Sequence, residues 1–201
     1  MREFVVVGQP NSGKTLFTLN FAAYMGSKTV DIICRSYDDL VTCRHFSIIE
    51  ARNQLCGMTL HKTPFLQSLV LKIPLGKTDV TFKITDTCGV GENIHPSANI
   101  RRGMAQTLSL LRSADYIFHI LDVSSMPLEP LEKQTTIDYD IYNYGVVRNR
   151  YTLLANKIDL PITKEILPKL SYLFPKANTI PVSALLSQGF KEVKLCVARN
   201  L

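Results

Sequence analysis

The chain has no Cys-x-x-Cys pair, although five cysteines occur: Cys34, Cys43, Cys56, Cys88 and Cys196. An odd number without metal-ligand spacing argues against a disulfide frame or a zinc ribbon, and fits free thiols in a reducing compartment. No apolar run approaches the ~20 residues that a membrane-spanning helix needs. The opening Met1-Arg2-Glu3-Phe4 lacks the layout of a signal peptide, so a cytoplasmic location is expected. Internal repeats, low-complexity tracts and linkers are absent. The four histidines, His45, His61, His95 and His119, are not spaced as metal ligands, and no motif forces a Ser-His-Asp arrangement. His119 lies in an apolar stretch and reads as a core residue.

What is present reads as a single globular domain over residues 1–201, with 46% hydrophobic and 20% charged residues. The net charge of +6 favours anionic partners, whether nucleotide phosphates, RNA or an acidic surface. Phe4–Val7 is a short apolar run read as a buried strand, and residues 14–24 read as a helix. Residues 28–35 and 40–46 are expected to form a hairpin. Ser47-Ile48-Ile49-Glu50 is a capping box that starts a short helix ending near Gly57. Strands are expected over 65–74, 79–86, 116–122, 151–156 and 179–183. Helices are expected over 97–112 (apolar face Ile100, Met104, Leu108, Leu111), from Leu131 to Gly145, over 164–174, and from Phe190 onward. Strands alternate with helices after residue 80, which predicts an α/β fold with a mostly parallel sheet.

Gly8-Gln9-Pro10-Asn11-Ser12-Gly13-Lys14-Thr15 matches the phosphate-loop pattern G-x-x-x-x-G-K-[ST]. The spacing has a physical reason. Backbone N–H groups must point inward around a phosphate tail, and the two glycines permit that path. The helix that begins there offers its N-terminus, Lys14 offers a cation, and the Thr15 hydroxyl offers a ligand for Mg²⁺. Chance would produce the pattern in roughly 1% of chains this long, and the flanking strand and helix lower that further.

Asn156-Lys157-Ile158-Asp159 follows a predicted strand. The Asp159 carboxylate suits the paired N–H donors on one edge of guanine, which adenine lacks. Asn156 can tie the base loop to the phosphate loop, and the stem of Lys157 can cover the ring. Asp86-Thr87-Cys88-Gly89 ends another strand. There Asp86 is a candidate for Mg²⁺ held through water, and the Gly89 N–H for the γ-phosphate. Ser183-Ala184-Leu185 follows the last predicted strand, where the Ala184 N–H could contact the guanine carbonyl, and Leu16 follows the phosphate loop.

With these motifs in this order, the sequence resembles the Ras-like superfamily of small GTPases over essentially its whole length. It is most similar to the Era/TrmE-type branch, on Pro10-Asn11 and on Asp86-Thr87-x-Gly89-Val90. The resemblance implies a three-layer P-loop fold with about six strands in a mixed sheet, and hydrolysis of GTP to GDP and phosphate. It also implies a mobile threonine that binds Mg²⁺. Thr59 and Thr63 are the candidates, and Thr63, before a predicted strand, is favoured. Residues 28–57 are a probable insertion, either a partner surface or an extension of the sheet. Val90 stands where many relatives have a water-positioning Gln, so intrinsic turnover is expected to be slow. The resemblance also raises K⁺ coordination by Asn11, against a role for Asn11 in stabilising the loop alone. The catalytic set is then Lys14, Thr63, Gly89 and Asn11, with Glu92, His95, Arg101 and Arg102 as further candidates. An effector protein, the ribosome or RNA, and a nucleotide-dependent homodimer are the partners raised. A GTP-binding scaffold without turnover and an ATPase or nucleotide kinase are the competing readings.

Overall fold

A computed structural model describes residues 1–57, 65–126 and 136–201. Eight strands form one mixed sheet: β1 (Glu3–Val7), β2 (Thr29–Arg35), β3 (Val41–Ser47), β4 (Leu66–Leu75), β5 (Thr78–Asp86), β6 (Tyr116–Asp122), β7 (Tyr151–Asn156) and β8 (Thr179–Pro181). Their order across the sheet is β3-β2-β4-β5-β1-β6-β7-β8. The run β5-β1-β6-β7-β8 is parallel, as the alternation with helices predicts. β4 is antiparallel to β5, β2 to β4, and β3 to β2. The expected count of about six strands is thus exceeded, because the hairpin at 28–46 joins the sheet edge instead of standing apart from it.

The helices are α1 (Lys14–Tyr24), α2 (Ile48–Leu55), α3 (Ala98–Ser113), α4 (Ile137–Val147), α5 (Thr163–Leu173) and α6 (Phe190–Arg199). They cover both faces of the sheet, and alternation along β1 shows why. Phe4 and Val6 enter a core with Phe17 and Phe21 of α1, Ile48 of α2 and Phe190 of α6. Val5 and Val7 enter a second core with Leu111 of α3, Ile141 of α4 and Ile166 of α5. A strand buried on both faces must be apolar throughout, which is why β1 reads as a continuous run. The first core is rich in rings: Phe4 lies 5.5 Å from both Phe82 and Phe118, and Phe17 lies 5.4 Å from Phe190.

The capping box forms in full. Ser47 Oγ accepts from the Glu50 N–H, and the Glu50 carboxylate accepts from the Ser47 N–H. The helix exits through an extended Cys56 (φ −95°, ψ 148°), not into the left-handed cap expected at Gly57. Two other expectations are corrected. Gly145 does not stop α4, which runs on to Val147. A Cβ at Gly145 would lie 2.1 Å from the Tyr151 ring, so glycine serves there to let helix and strand approach. In α3 the buried face is Gly103, Thr107 and Leu111, whereas Leu108 is 49% exposed. Thr107 Oγ1 can donate to the Cys88 carbonyl at 3.3 Å, and that bond turns a polar residue inward.

Candidate functional site

Residues 8–15 join the central strand β1 to α1 at the carboxyl end of the parallel strands, where α/β sheets bind ligands. Both glycines are required by space as well as by backbone angle. Gly8 has φ 151° and Gly13 φ 98°. A Cβ would fall 2.2 Å from the Ile120 carbonyl oxygen at Gly8, and 2.3 Å from Asn156 Nδ2 at Gly13. Asn11 is exposed and takes a left-handed φ of 61°, a conformation Asn tolerates better than most residues. The first turn of α1 carries no acidic side chain, so its positive end is not neutralised from within the helix. Lys14 is 6% exposed and donates from Nζ to the Gln9 carbonyl at 2.6 Å. Burial pushes its pKa down, and the Asp86 carboxylate is the main opposing influence. A buried cation with so little compensating charge is suited to an incoming anion.

Thr15 Oγ1 donates to Asp86 Oδ2 at 2.6 Å. The other oxygen, Asp86 Oδ1, is buried and has no hydrogen-bond partner among the described residues. Burial raises the Asp86 carboxyl from 3.8 to about 6 against the pull of the Thr15 hydroxyl and the Lys14 charge. A hydroxyl and an unsatisfied carboxylate beside the phosphate loop form the all-oxygen donor set that a hard divalent cation takes, so these residues fit Mg²⁺. Gly89 presses on the phosphate loop: a Cβ there would lie 2.7 Å from the Pro10 nitrogen. The next residue, Val90, donates its N–H to the Gly8 carbonyl at 3.1 Å and buries its side chain in the second core.

Residues 8–15 are joined to the loop after β8 by one carboxamide. Asn156 Nδ2 donates to the Ser12 carbonyl at 2.7 Å, and Asn156 Oδ1 accepts from the Ala184 N–H at 2.9 Å. From α1, Asn20 Nδ2 donates to the Ala184 carbonyl at 2.6 Å. Ser183 Oγ donates to Asp159 Oδ1 at 2.6 Å, which fixes that carboxylate by one oxygen. Lys157 sits at a left-handed φ of 70° and pairs its ammonium with Asp122 at the end of β6. Leu16 is half-buried and Leu185 is 63% exposed. Residues 8–15, 156–159 and 183–184 are thus tied together by hydrogen bonds.

Thr59 and Thr63 lie outside the described residues. Among the further candidates, Arg101 donates to the carbonyls of His95 and Pro96 at 2.8 and 2.7 Å, which braces its own loop. Arg102 stacks its guanidinium 4.8 Å from the centre of the Tyr37 ring. The structure brings neither arginine to the phosphate loop. Glu92 is exposed, and His95 Nδ1 accepts from the Ser97 N–H. His119 is fully buried, as its apolar setting predicts, but it is not a lone core residue: it pairs with Asp138. Sequence reasoning did not find Asn20, Asp122 or Asp138 as parts of this region. Asn20 is a polar residue in an otherwise apolar helix stretch, and that signal could have marked it. Asp122 and Asp138 carry no local signal. Among the described residues no cluster of His, Cys, Asp and Glu is built to hold a metal by itself, and no helix is long and apolar enough to cross a membrane.

No protein-family model matches the chain. Over 125 residues it is 29% identical to the GTPase Obg of Shouchella clausii, which covers 60% of this chain and 28% of that protein. Among solved structures it is similar to Aquifex aeolicus Era bound to GDP and AlF4⁻, with TM-score 0.69, 20% identity, and coverage of 100% of this chain and 57% of that one. It is also similar to the S. thermophilus NFeoB structure bound to the same ligands (TM-score 0.61, 20% identity, 100% and 63% coverage). The isolated G-domain of Methanococcus jannaschii FeoB aligns at TM-score 0.55 and 17% identity, with 98% of that chain covered. The chain therefore has the fold of the P-loop GTPases and resembles their Era-like members. It spans about a quarter of the Obg relative and a little over half of the Era chain.

Proposed function

We propose that this chain binds guanine nucleotide and hydrolyses GTP to GDP and phosphate as a Mg²⁺-dependent molecular switch. The observation that carries the reading is the double hydrogen bond of Asn156, which couples residues 8–15 to two loops, the one after β7 bearing Asp159 and the one after β8 bearing Ala184. A pocket for polyphosphate and a pocket for a base are thereby held as one unit. In this reading Gly8, Asn11, Ser12, Gly13, Lys14, Thr15 and Leu16 surround the phosphates. Asn156, Lys157, Asp159, Ser183, Ala184 and Leu185 surround the guanine. Asp159, anchored on one oxygen by Ser183, accepts from the base with the other; adenine would leave it unpaired at a cost of a few kcal/mol.

Thr15, Asp86 and a threonine at 63 or 59 would hold Mg²⁺, which when bound supplies charge for the developing oxyanions of phosphoryl transfer. Lys14 adds its own charge at the β- and γ-phosphates. The Gly89 N–H meets the γ-phosphate, and the close Gly89–Pro10 approach makes residues 89–97 sensitive to its loss. Asn11 is the residue for a K⁺ ion beside the phosphates. Binding is tested by competing GDP against ADP for the purified protein; equal affinity would defeat the guanine reading. The positive net charge supports an anionic macromolecular partner such as RNA, and another similar structure is of Era in complex with a segment of 16S ribosomal RNA, although this chain spans only part of that protein.

A second reading, a guanine-nucleotide-dependent scaffold without turnover, is favoured by Val90. Its side chain is 3% exposed inside a core and offers no group to orient water. A single-turnover assay with radiolabelled GTP separates the two: phosphate release supports the GTPase, and none over hours supports the scaffold.

A further inference from the structure

The phosphate loop is held from a second direction, by a chain of polar groups that runs from part-buried Gln9 to buried Asp138, His119 and Tyr151 and is unrelated to the base site. Gln9 has two attachments. Its carbonyl accepts from Lys14 Nζ at 2.6 Å, and its side-chain Nε2 donates to Asp138 Oδ2 at 2.7 Å. Asp138, in the first turn of α4, is 8% exposed, and its Oδ1 lies 2.9 Å from His119 Nε2. His119 Nδ1 in turn lies 2.8 Å from the Tyr151 hydroxyl. One proton arrangement satisfies the whole chain. Tyr151 donates to Nδ1, Nε2–H donates to Oδ1, and the Gln9 amide donates to Oδ2. Burial raises the Tyr151 phenol, which keeps its proton in place.

Such a network adds little net stability. Placing a carboxylate and an imidazole against an apolar core costs about as much as their pairing returns, and apolar side chains of similar size would hold α4 to β6 as well. What apolar residues could not do is grip Gln9. Of the four members, only Gln9 lies in the phosphate loop, and its own carbonyl is what Lys14 leans on. Its side chain is also fixed independently of the Asn156 bond to Ser12, so the loop is pinned on both flanks.

We infer that Asp138 and His119 are positioning residues that hold Gln9, and through it the Lys14 ammonium, in the arrangement that receives phosphate, so that this buried chain slows nucleotide release. The inference rests on residues 8–15 being the phosphate site. Losing a hydrogen bond to a charged partner corresponds to an off-rate increase of about tenfold or more.

The test is the dissociation rate of a fluorescent GDP analogue in the presence of Mg²⁺, read beside the melting temperature of the nucleotide-free protein. If the wild type does not bind GDP, the nucleotide reading fails and the network is not at issue. If it does, Gln9→Ala should speed release about tenfold with an unchanged nucleotide-free melting temperature. Asp138→Ala should speed release equally, and the double variant no further, because both cut one link. Asp138→Asn should restore slow release, since its amide can donate to a turned Gln9 carboxamide while its carbonyl still accepts from His119. Gln9→Ala with wild-type release overturns the inference even if Asp138→Ala fails to fold. So does a double variant whose effect is the product of the two, or a loss of melting temperature with no change in release.

Discussion

Thr15 and Asp86 share a 2.6 Å hydrogen bond, and the second Asp86 oxygen is buried with no hydrogen-bond partner among the described residues. The pair is arranged for something other than stability of the empty protein. Raising the carboxyl from 3.8 to about 6 is equivalent to a cost of roughly 3 kcal/mol when the group is ionised.

Asp86→Asn should therefore stabilise the nucleotide-free protein, because an amide keeps the bond from Thr15 without a buried charge. The sign follows from proton linkage. Folded Asp86 titrates near 6 and the unfolded residue near 3.8, so the folded state holds the extra proton between those values. Its contribution is fully present below the lower value and is lost as pH rises through the upper one. In EDTA, the melting-temperature gain of the variant should be near zero at the acid end and reach several degrees above the upper value. With Mg²⁺ and GDP the order should invert, since the variant loses its metal contact. A variant that is no more stable than wild type at neutral pH would contradict the burial argument.

Asp159→Asn should weaken GDP binding by a hundredfold or so, on the order of 3 kcal/mol for a charged acceptor of two hydrogen bonds. The folded protein should be unharmed, because Ser183 Oγ can donate to the new side-chain oxygen. Isothermal titration with GDP measures the loss. Unchanged GDP affinity would remove Asp159 from the base site.

The parts of the fold visible in the sequence were those fixed by local chemistry. The bounds of α1, β6 and β7 match expectation to the residue, because apolar runs and a glycine-bounded loop set them. The candidate phosphate and base motifs stood out in the sequence because each combines particular residues at particular spacing. What was hidden depended on contacts distant in sequence. Gly145 looks like a helix stop until the Tyr151 ring is placed beside it. His119 looks like a core residue until Asp138, 19 positions on, turns toward it. Arg102 looks like a catalytic candidate until Tyr37, on the hairpin turn, is found under it.

GTP turnover should be faster in KCl than in NaCl, and Asn11→Ala should abolish the difference without abolishing GDP binding. Asn11 is exposed at the lip of the phosphate loop, and its backbone φ of 61° is disfavoured for Ala. Asn11→Gly, which tolerates that angle, serves as the control for loop strain. Loss of the K⁺ effect in both variants assigns it to the side chain. Equal rates in the two salts for the wild type would end the idea.

The β2–β3 hairpin, the expected insertion, leans on α3, the helix that follows residues 89–97. Tyr37 donates from its hydroxyl to Asn99 Oδ1 at 3.3 Å and lies under Arg102, while Gln106 donates to the Ser36 carbonyl at 2.9 Å. The Tyr37 contacts are exposed and the Gln106 bond is part-buried; each is small, about 0.5–1 kcal/mol for the cation–π pair, so they can follow a shift in α3 without resisting it. If residues 89–97 rearrange with the γ-phosphate, the hairpin turn should report the change. Hydrogen exchange at residues 36–40 should then differ between the GDP and GTP-analogue states, and Tyr37→Ala should erase the difference while leaving that in residues 89–97 intact. Identical exchange of the wild-type turn in both states would leave the insertion as an extension of the sheet with no part in the switch.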